Sequence, residues 1–552
     1  MSREGVIAFL VYTSLVLMSF LERMSDSVQT FVYNWFKDQR FMCAHTLYPR
    51  LEESNRNNSG WSCWTVSLLG VIGLAAVIRF AGIHSQSFFY DEAVSRELSF
   101  HSFQDLFSGI ARDNGNPPLY WILIKAWSLV FGSGETALRA FSALAGVACT
   151  ALVFLIAKEF FDERVALIAS IAYALSPFSL ELSTEARCYA WLQLVAAASF
   201  YCFFRFWIRH QARWLSGVLL CTVLLTFTHY YGFFIPLAQM IILLTFRQYR
   251  KLLAWLSAMS VAACIFALGW LPVFLAQIKQ PGNGTRGGSS WMMQFLSTPL
   301  TFAVGRSLVW KGSLSLAGLG AVSLIVLAVF WPPIASFGCD KSRDSRLRFA
   351  LLVWLLLPVI VPFVVAISGH PIYNARYAMI ALPAFALAFG AGVAHLASRR
   401  QVWTLAAALM LVGVSLGLFY THPIKQDWER TTAFLASDLK AGDVVFVDPD
   451  NEVVTLDYHL QKIGLPETAE VGIVQTGNPL IGIPWFGGHK LASTPQDVAA
   501  AIRTHQRIWL IITAENYGDQ TDLSALRSAG CNVSDSHHFY RIDVFKFRCS
   551  VL

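Results

Sequence analysis

Charge is scarce in this chain. Asp, Glu, Lys and Arg supply 14% of its 552 residues, against about 25% in a soluble globular protein. That shortfall excludes a soluble enzyme, a disordered protein or a nucleic-acid-binding domain as its main identity. Cysteine is thinly spread as well. There are ten, with no CxxC and no His/Cys cluster at zinc spacing, so no structural zinc site is read from the sequence. Half of them (Cys149, Cys188, Cys202, Cys221, Cys264) lie inside apolar runs, where a thiol acts as a small buried hydrophobe. Cys531 and Cys549 lie in the polar C-terminal region and can pair if that region reaches an oxidising compartment. Internal repeats and low-complexity tracts are absent. Apolar residues, by contrast, make up 55% of the chain, and the mean hydropathy is +0.50. The net charge of +7 belongs in such a chain to cytoplasmic loops, and the 18 Trp, 17 Tyr and 42 Phe suit interfacial aromatic belts.

A spanning helix needs about 20 mostly apolar residues. Eleven segments qualify: Trp64–Ile83, Leu138–Ala157, Val165–Leu182, Tyr189–Ile208, Trp214–Thr228, Gly232–Phe246, Leu252–Gln277, Leu314–Ile334, Phe349–Ser368, Tyr377–Ala397 and Val402–Tyr420. Every second connection is strongly basic. That pattern puts Lys158, Arg205, Arg250, Arg346 and Arg400 in the cytoplasm. The loops at Phe88–Gly134, Glu181–Arg187, His229–Tyr231, Ile278–Ser313 and His370–Arg376, and the tail after Tyr420, fall outside. Residues 1–60 form an N-terminal extension in which Gly5–Phe20 is an anchor or a twelfth span. Pro117–Gly132 is apolar too, but a crossing there would break the charge alternation. It reads as an interfacial or re-entrant helix with Lys125 on its polar side.

The expected organisation is a polytopic α-helical membrane domain over residues 61–420, with a large first external loop over 84–137. A small extracytoplasmic α/β domain follows over 421–552. In this tail Asp443–Val447, Arg507–Thr513 and Phe539–Phe547 read as strands, and Gln426–Leu439 and Pro495–Thr504 as helices.

The polar residues of the external loops are where chemistry is sought. Asp91 and Glu92 follow three aromatic residues just past the first span, and carboxylates at that depth are costly unless solvated or paired. An acidic start to a short helix accounts for them without any chemistry. Asp113–Tyr120 supplies a turn and two prolines that open an apolar helix. Glu181, Glu185 and Arg187 lie at the same external surface as Asp91, where a local Glu185–Arg187 pair is the bland account. His229, Tyr230, Arg376 and Tyr377 open or close external turns, as interfacial anchors do. Gln280–Gly288 is flexible by composition; with Arg286 and Trp291 it could form a flap over a bound molecule.

The ordered series YDE, NPPLYW, FGSGETALRAFSALAG, STEARCYAW, THYYGFF and YNARYAMIALPAF resembles the GT-C superfamily of integral-membrane glycosyltransferases, of the glycosyltransferase family 39 type. That type includes protein O-mannosyltransferases and lipid A aminoarabinose transferases. The resemblance covers about Trp64–Tyr420 and a tail beginning KQDWERTTAFL. It implies an enzyme of the inner (plasma) membrane, a hexosyl- or pentosyltransferase that takes a sugar from a polyprenyl-phosphate carrier. The acceptor would be a protein, lipid or polysaccharide on the outer face, and the anomeric centre would invert. The family's acidic motif matches Asp91-Glu92, and its second polar motif matches Glu185–Tyr189. Relatives often carry His or Lys where this chain has Asn116, so the charge that clamps the phosphate must come from elsewhere.

The residue chemistry fits that role. A phosphate leaving group needs cations and fixed donors, and Arg187, Arg286, Arg376 and Lys125 are candidates, Arg being favoured by its fork. A hydroxyl or amine acceptor needs a base, for which Asp91 is the choice, with Glu92 in support. Asn116, Tyr189, His229, Tyr230 and Tyr377 complete the substrate-binding set. A divalent metal between Asp91 and Glu185 is left open, though no ligand spacing supports it. The rival reading is a transporter or lipid flippase. It would place a polar path through the bundle near the midplane, whereas the candidates here crowd at one surface.

Overall fold

The computed structural model describes residues 63–112, 116–279, 291–309, 343–369, 372–440, 443–464, 469–473, 490–492, 505–513, 526–528 and 530–549. Gly5–Phe20, Leu314–Ile334, Pro495–Thr504 and Arg286 lie outside them. Among the described residues six helices are long and apolar enough to cross a membrane: Trp64–Ala81, Glu135–Phe160, Tyr249–Gly269, Arg343–Ile367, Tyr377–Ala394 and Ser398–Thr421. A seventh follows if Glu163–Leu175 and Pro177–Ser183, bent by 56°, count as one. Trp214–Thr228 and Tyr230–Thr245 fall on expected spans but are shorter.

The bent pair has a local cause. Asp162 caps the first helix by accepting from the Val165 amide at 2.9 Å. Ser176 then leaves helical geometry and caps the second through Ser179 N, with Pro177 at its first position, where a missing N–H costs nothing. Such a break frees backbone oxygens. The buried Arg79 takes up one, donating Nη1 to Ala174 O at 3.2 Å, and gives Nη2 to Ser179 Oγ at 2.9 Å.

Helix Leu119–Phe131 has 13 residues, short of the about 20 that a span needs. The placement of Lys125 on a polar face is overturned. Lys125 is buried on the same face as Tyr120, Trp121 and Ile124. Its ammonium donates to Ser99 O and His101 O, the carbonyls that end helix Tyr90–Phe100, where a cation is favoured.

The tail carries a six-stranded sheet: β1 (Val444–Asp448), β2 (Ala469–Ile473), β3 (Lys490–Ala492), β4 (Arg507–Thr513), β5 (Cys531–Phe539) and β6 (Ile542–Cys549), in the order β3-β2-β1-β4-β6-β5. β1 pairs in parallel with β2 and β4, and every one of its residues is buried, as expected for a parallel strand covered on both faces. Helices Trp428–Asp438 and Val453–Lys462 accompany the sheet. The expected strand Phe539–Phe547 is instead a hairpin, turning at Tyr540-Arg541. Its two strands are joined by a Cys531–Cys549 disulfide.

Two membrane helices meet closely through Gly390. A Cβ there would lie 2.9 Å from Ala169 N and 3.0 Å from Val165 O, backbone atoms that cannot step aside. Small residues allow this approach between helices. Gly390→Val should destabilise the protein by about 1–3 kcal/mol, lowering the thermal midpoint of detergent-purified protein. Gly413→Val, facing open space, should leave that midpoint unchanged.

Candidate active site

Helix Tyr90–Phe100 starts because Phe89 is extended, and its first turn holds Asp91 and Glu92. The two carboxylates diverge. Glu92 is fully buried and faces Arg139 in a two-pronged pair, Nε to Oε1 at 2.7 Å and Nη2 to Oε2 at 2.8 Å. Arg139 also donates to Ile83 O, Gln86 O and Ser87 O, so one guanidinium fixes the chain entering the acidic motif. Ala186 N donates to Glu92 Oε1 at 2.9 Å, which ties that motif to the loop carrying Glu185 and Arg187.

Asp91 keeps a quarter of its side chain exposed. Its Oδ2 accepts from Arg376 Nη1 at 2.8 Å, and Arg187 Nε lies 4.0 Å away. Burial alone would raise its pKa; Arg187 and Arg376 more than offset that, and the carboxyl sits below its ordinary value. Glu185 is fully buried. It accepts from Arg376 Nη2 and from Arg306 Nη2, the latter at 3.2 Å, with Lys425 Nζ at 3.4 Å. Burial again pushes up, but Arg376, Lys425 and Arg306 hold this carboxyl well below the usual range. The Arg376 fork thus spans Asp91 and Glu185.

Arg306 reaches its place by way of Gly305 at φ 73°, a left-handed conformation that favours glycine. From there its amide and Nε each donate to Glu181, both at 2.9 Å.

Arg187 is a different kind of cation. It is 8% exposed, lies over the Trp121 ring at 5.2 Å, and its Nε has no hydrogen-bond partner among the described residues. Asn116, three residues before the first residue of helix Leu119–Phe131, is buried, and its Oδ1 is likewise unpartnered among the described residues. Tyr189, His229 and Tyr377 form an aromatic wall beside Arg187. Arg376 lies 4.5 Å from the Tyr189 ring, and His229 and Tyr377 rings are 4.8 Å apart. His229 accepts from Tyr231 N through Nδ1. Burial, aided by Arg187, lowers its pKa to about 3, so it is a neutral wall residue at physiological pH.

The structure therefore brings Asp91, Glu92, Glu185, Arg187, Tyr189, His229, Arg376 and Tyr377 together. Two candidates are engaged elsewhere. Lys125 caps Tyr90–Phe100, and the Tyr230 hydroxyl bonds Gln277 and accepts from Trp270 Nε1. Three participants went unselected. Arg139 and Lys425 both lie within quoted motifs, in LRAF and KQDWER, but a lone cation on an apolar helix or after the last span reads as an anchor. Arg306 carries no signal. A metal between Asp91 and Glu185 does not fit, because the Arg376 fork occupies that space. Among the described residues no group of three His, Cys, Asp or Glu is placed to hold one.

Residues 115–270 match the family described as dolichyl-phosphate-mannose-protein mannosyltransferase. No curated protein sequence matches the chain. Among solved structures, ArnT from Cupriavidus metallidurans is similar at 14% identity over 87% of this chain and 98% of that one. The TM-score is 0.58 to its apo form and 0.56 to its complex with undecaprenyl phosphate. An oligosaccharyltransferase from Archaeoglobus fulgidus is also similar, at 14% identity over 83% of this chain and 71% of that one, with a TM-score of 0.46. The chain thus has the GT-C fold of integral-membrane glycosyltransferases, as its motif series implied. Within that class its fold is similar along nearly the whole length of ArnT.

Removing one partner of a buried pair leaves an uncompensated charge, at a cost of about 3–5 kcal/mol. Arg139→Met should therefore abolish recovery of monodisperse protein from membranes. Arg139→Lys should restore it only partly, since an ammonium cannot form the two-pronged bond. Recovery equal to wild type with Met would show that the pair does not hold this loop.

Proposed function

We propose that this protein transfers a sugar from a polyprenyl-phosphate carrier to an acceptor on the extracytoplasmic face of the membrane, inverting the anomeric centre. The observation that carries the reading is the juxtaposition of a part-open carboxylate, Asp91, with a buried arginine, Arg187, whose Nε lacks a partner among the described residues. The leaving phosphate needs cations that are not already spent. Arg376 and Lys425 are committed to carboxylates, which leaves Arg187, standing on Trp121, to face the phosphate. The family match and the undecaprenyl phosphate bound by ArnT support a lipid-linked donor.

In this scheme the acceptor oxygen or nitrogen attacks the anomeric carbon as the bond from that carbon to the phosphate oxygen breaks. The electron pair leaves with the phosphate. Asp91, kept ionised by its two arginines, takes the acceptor's proton, while Glu92 holds Asp91 in place from behind. Tyr189, His229 and Tyr377 wall the sugar.

The eleven-span topology, the inner-membrane location and an outward-facing tail belong to this proposal. The Cys531–Cys549 disulfide suits an oxidising side. The sugar is a hexose or pentose, and the acceptor a protein, lipid or polysaccharide. A transporter or flippase is not favoured, since the charged groups gather where helices end, around Asp91, Glu185 and Arg376.

Asp91→Asn keeps the shape of the side chain and should lower transfer by about 100-fold or more. Labelled polyprenyl-phosphate sugars would be supplied to membranes with matched amounts of each protein. Equal product from both proteins rejects Asp91 as the base; no wild-type product from any donor sugar rejects the transferase reading.

A further inference from the structure

Lys425 lies just beyond the last described membrane helix, in a stretch held from both sides. Gln86 donates Nε2 to Phe419 O at 2.8 Å and to His422 O at 3.1 Å, and its Oε1 accepts from Ile424 N at 2.8 Å. On the far side Gln426 bonds Glu452, and Asp427 N donates to Tyr540 O. So held, the Lys425 side chain turns inward and is 7% exposed. Its ammonium stands 3.4 Å from Glu92 Oε2 and 3.4 Å from Glu185 Oε1, and 4.3 Å from the centre of the Phe89 ring. Arg139 and Arg376 are the other charges facing it, each on the far side of one of those carboxylates.

The charge inventory of the cluster gives this placement its meaning. Asp91, Glu92, Glu181 and Glu185 meet Arg139, Arg187, Arg306, Arg376 and Lys425, while the outlying Glu135 shares Arg139 and Lys462, and Lys462 is shared in turn with Glu429. The least committed of these cations is Arg187. Take Lys425 away and Glu92 and Glu185 each lose a cation: Arg187 would be drawn to the carboxylates rather than left for an anion.

We infer that Lys425 is a positioning residue for the anion site: by neutralising Glu92 and Glu185 from the tail side it leaves Arg187 free to hold the donor's phosphate. The inference rests on the donor reading above and assigns the tail a part in the reaction site itself. Lys425 touches no reacting atom; it acts through Glu92, Glu185 and Arg376.

Undecaprenyl phosphate is the probe, titrated into purified full-length protein between about pH 5.5 and 8, a range in which ordinary Asp and Glu stay ionised. At the alkaline end Lys425→Gln should bind about tenfold more weakly than wild type, the scale of one lost charge at close range. Glu92 keeps Arg139, and Glu185 keeps Arg376 and Arg306, so both stay ionised and the loss should persist across the range. The lipid phosphate's own titration is common to both proteins and cancels in the ratio. Lys425→Arg should bind like wild type throughout. Lys425→His, charged only in acid, should match wild type at the acid end and fall away at the alkaline end. No loss with Lys425→Gln, or a ratio of Lys425→His to wild type that does not change with pH, overturns the role of Lys425 while leaving the donor reading standing. Failure of wild type to bind the probe overturns the donor reading, and this inference with it.

Discussion

A buried charge must be paired, and in this protein the pairing of Glu92 with Arg139 governs much of what lies around it. Neither group can be left alone in a low-dielectric interior. Satisfying both brings the end of helix Trp64–Ala81, the start of helix Tyr90–Phe100 and the loop after Pro177–Ser183 to one point. Asp91 and Arg187 are neighbours because the residues beside them, Glu92 and Ala186, are bonded to each other. The reactive-looking pair is thus the exposed side of a contact whose buried side does the holding.

The same logic extends outward. Arg376 joins Asp91 to Glu185, Arg306 joins Glu185 to Glu181, and Lys425 closes the gap between Glu185 and Glu92. Each carboxylate after the first shares a cation with another, so the cluster acts as one electrostatic body. Interactions inside it are strengthened by exclusion of water. A preorganised field of this kind suits chemistry in which negative charge builds on a leaving phosphate.

Much of this was legible in the sequence, and for a physical reason. Spans announce themselves by length and apolarity, and six of the described helices meet that test. The acidic pair, Glu185-Ala-Arg187 and Arg376-Tyr377 stood out because polar groups at helix ends in an apolar chain are expensive. The same rule misled at Lys125, where cost is relieved by carbonyls at a helix end rather than by solvent. Arg306 was invisible because its partner is 125 residues away, and spacing along a chain says nothing of such a pair. The short helices Trp214–Thr228 and Leu119–Phe131 show the limit of counting apolar residues: one coincided with an expected span and the other did not, though both are apolar.

Lys425 and Glu92 are separated by 333 positions, with most of the membrane domain between them. Contacts at such separation form late. During synthesis helix Tyr90–Phe100 therefore emerges long before the cation that completes its surroundings. A ribosome that stops early, or a helix that inserts the wrong way round, leaves Glu92 and Glu185 short of Lys425. Completion of the cluster is in this sense a record that every span between the two ends has been threaded, so that assembly of the membrane domain and readiness of its charged site are one event.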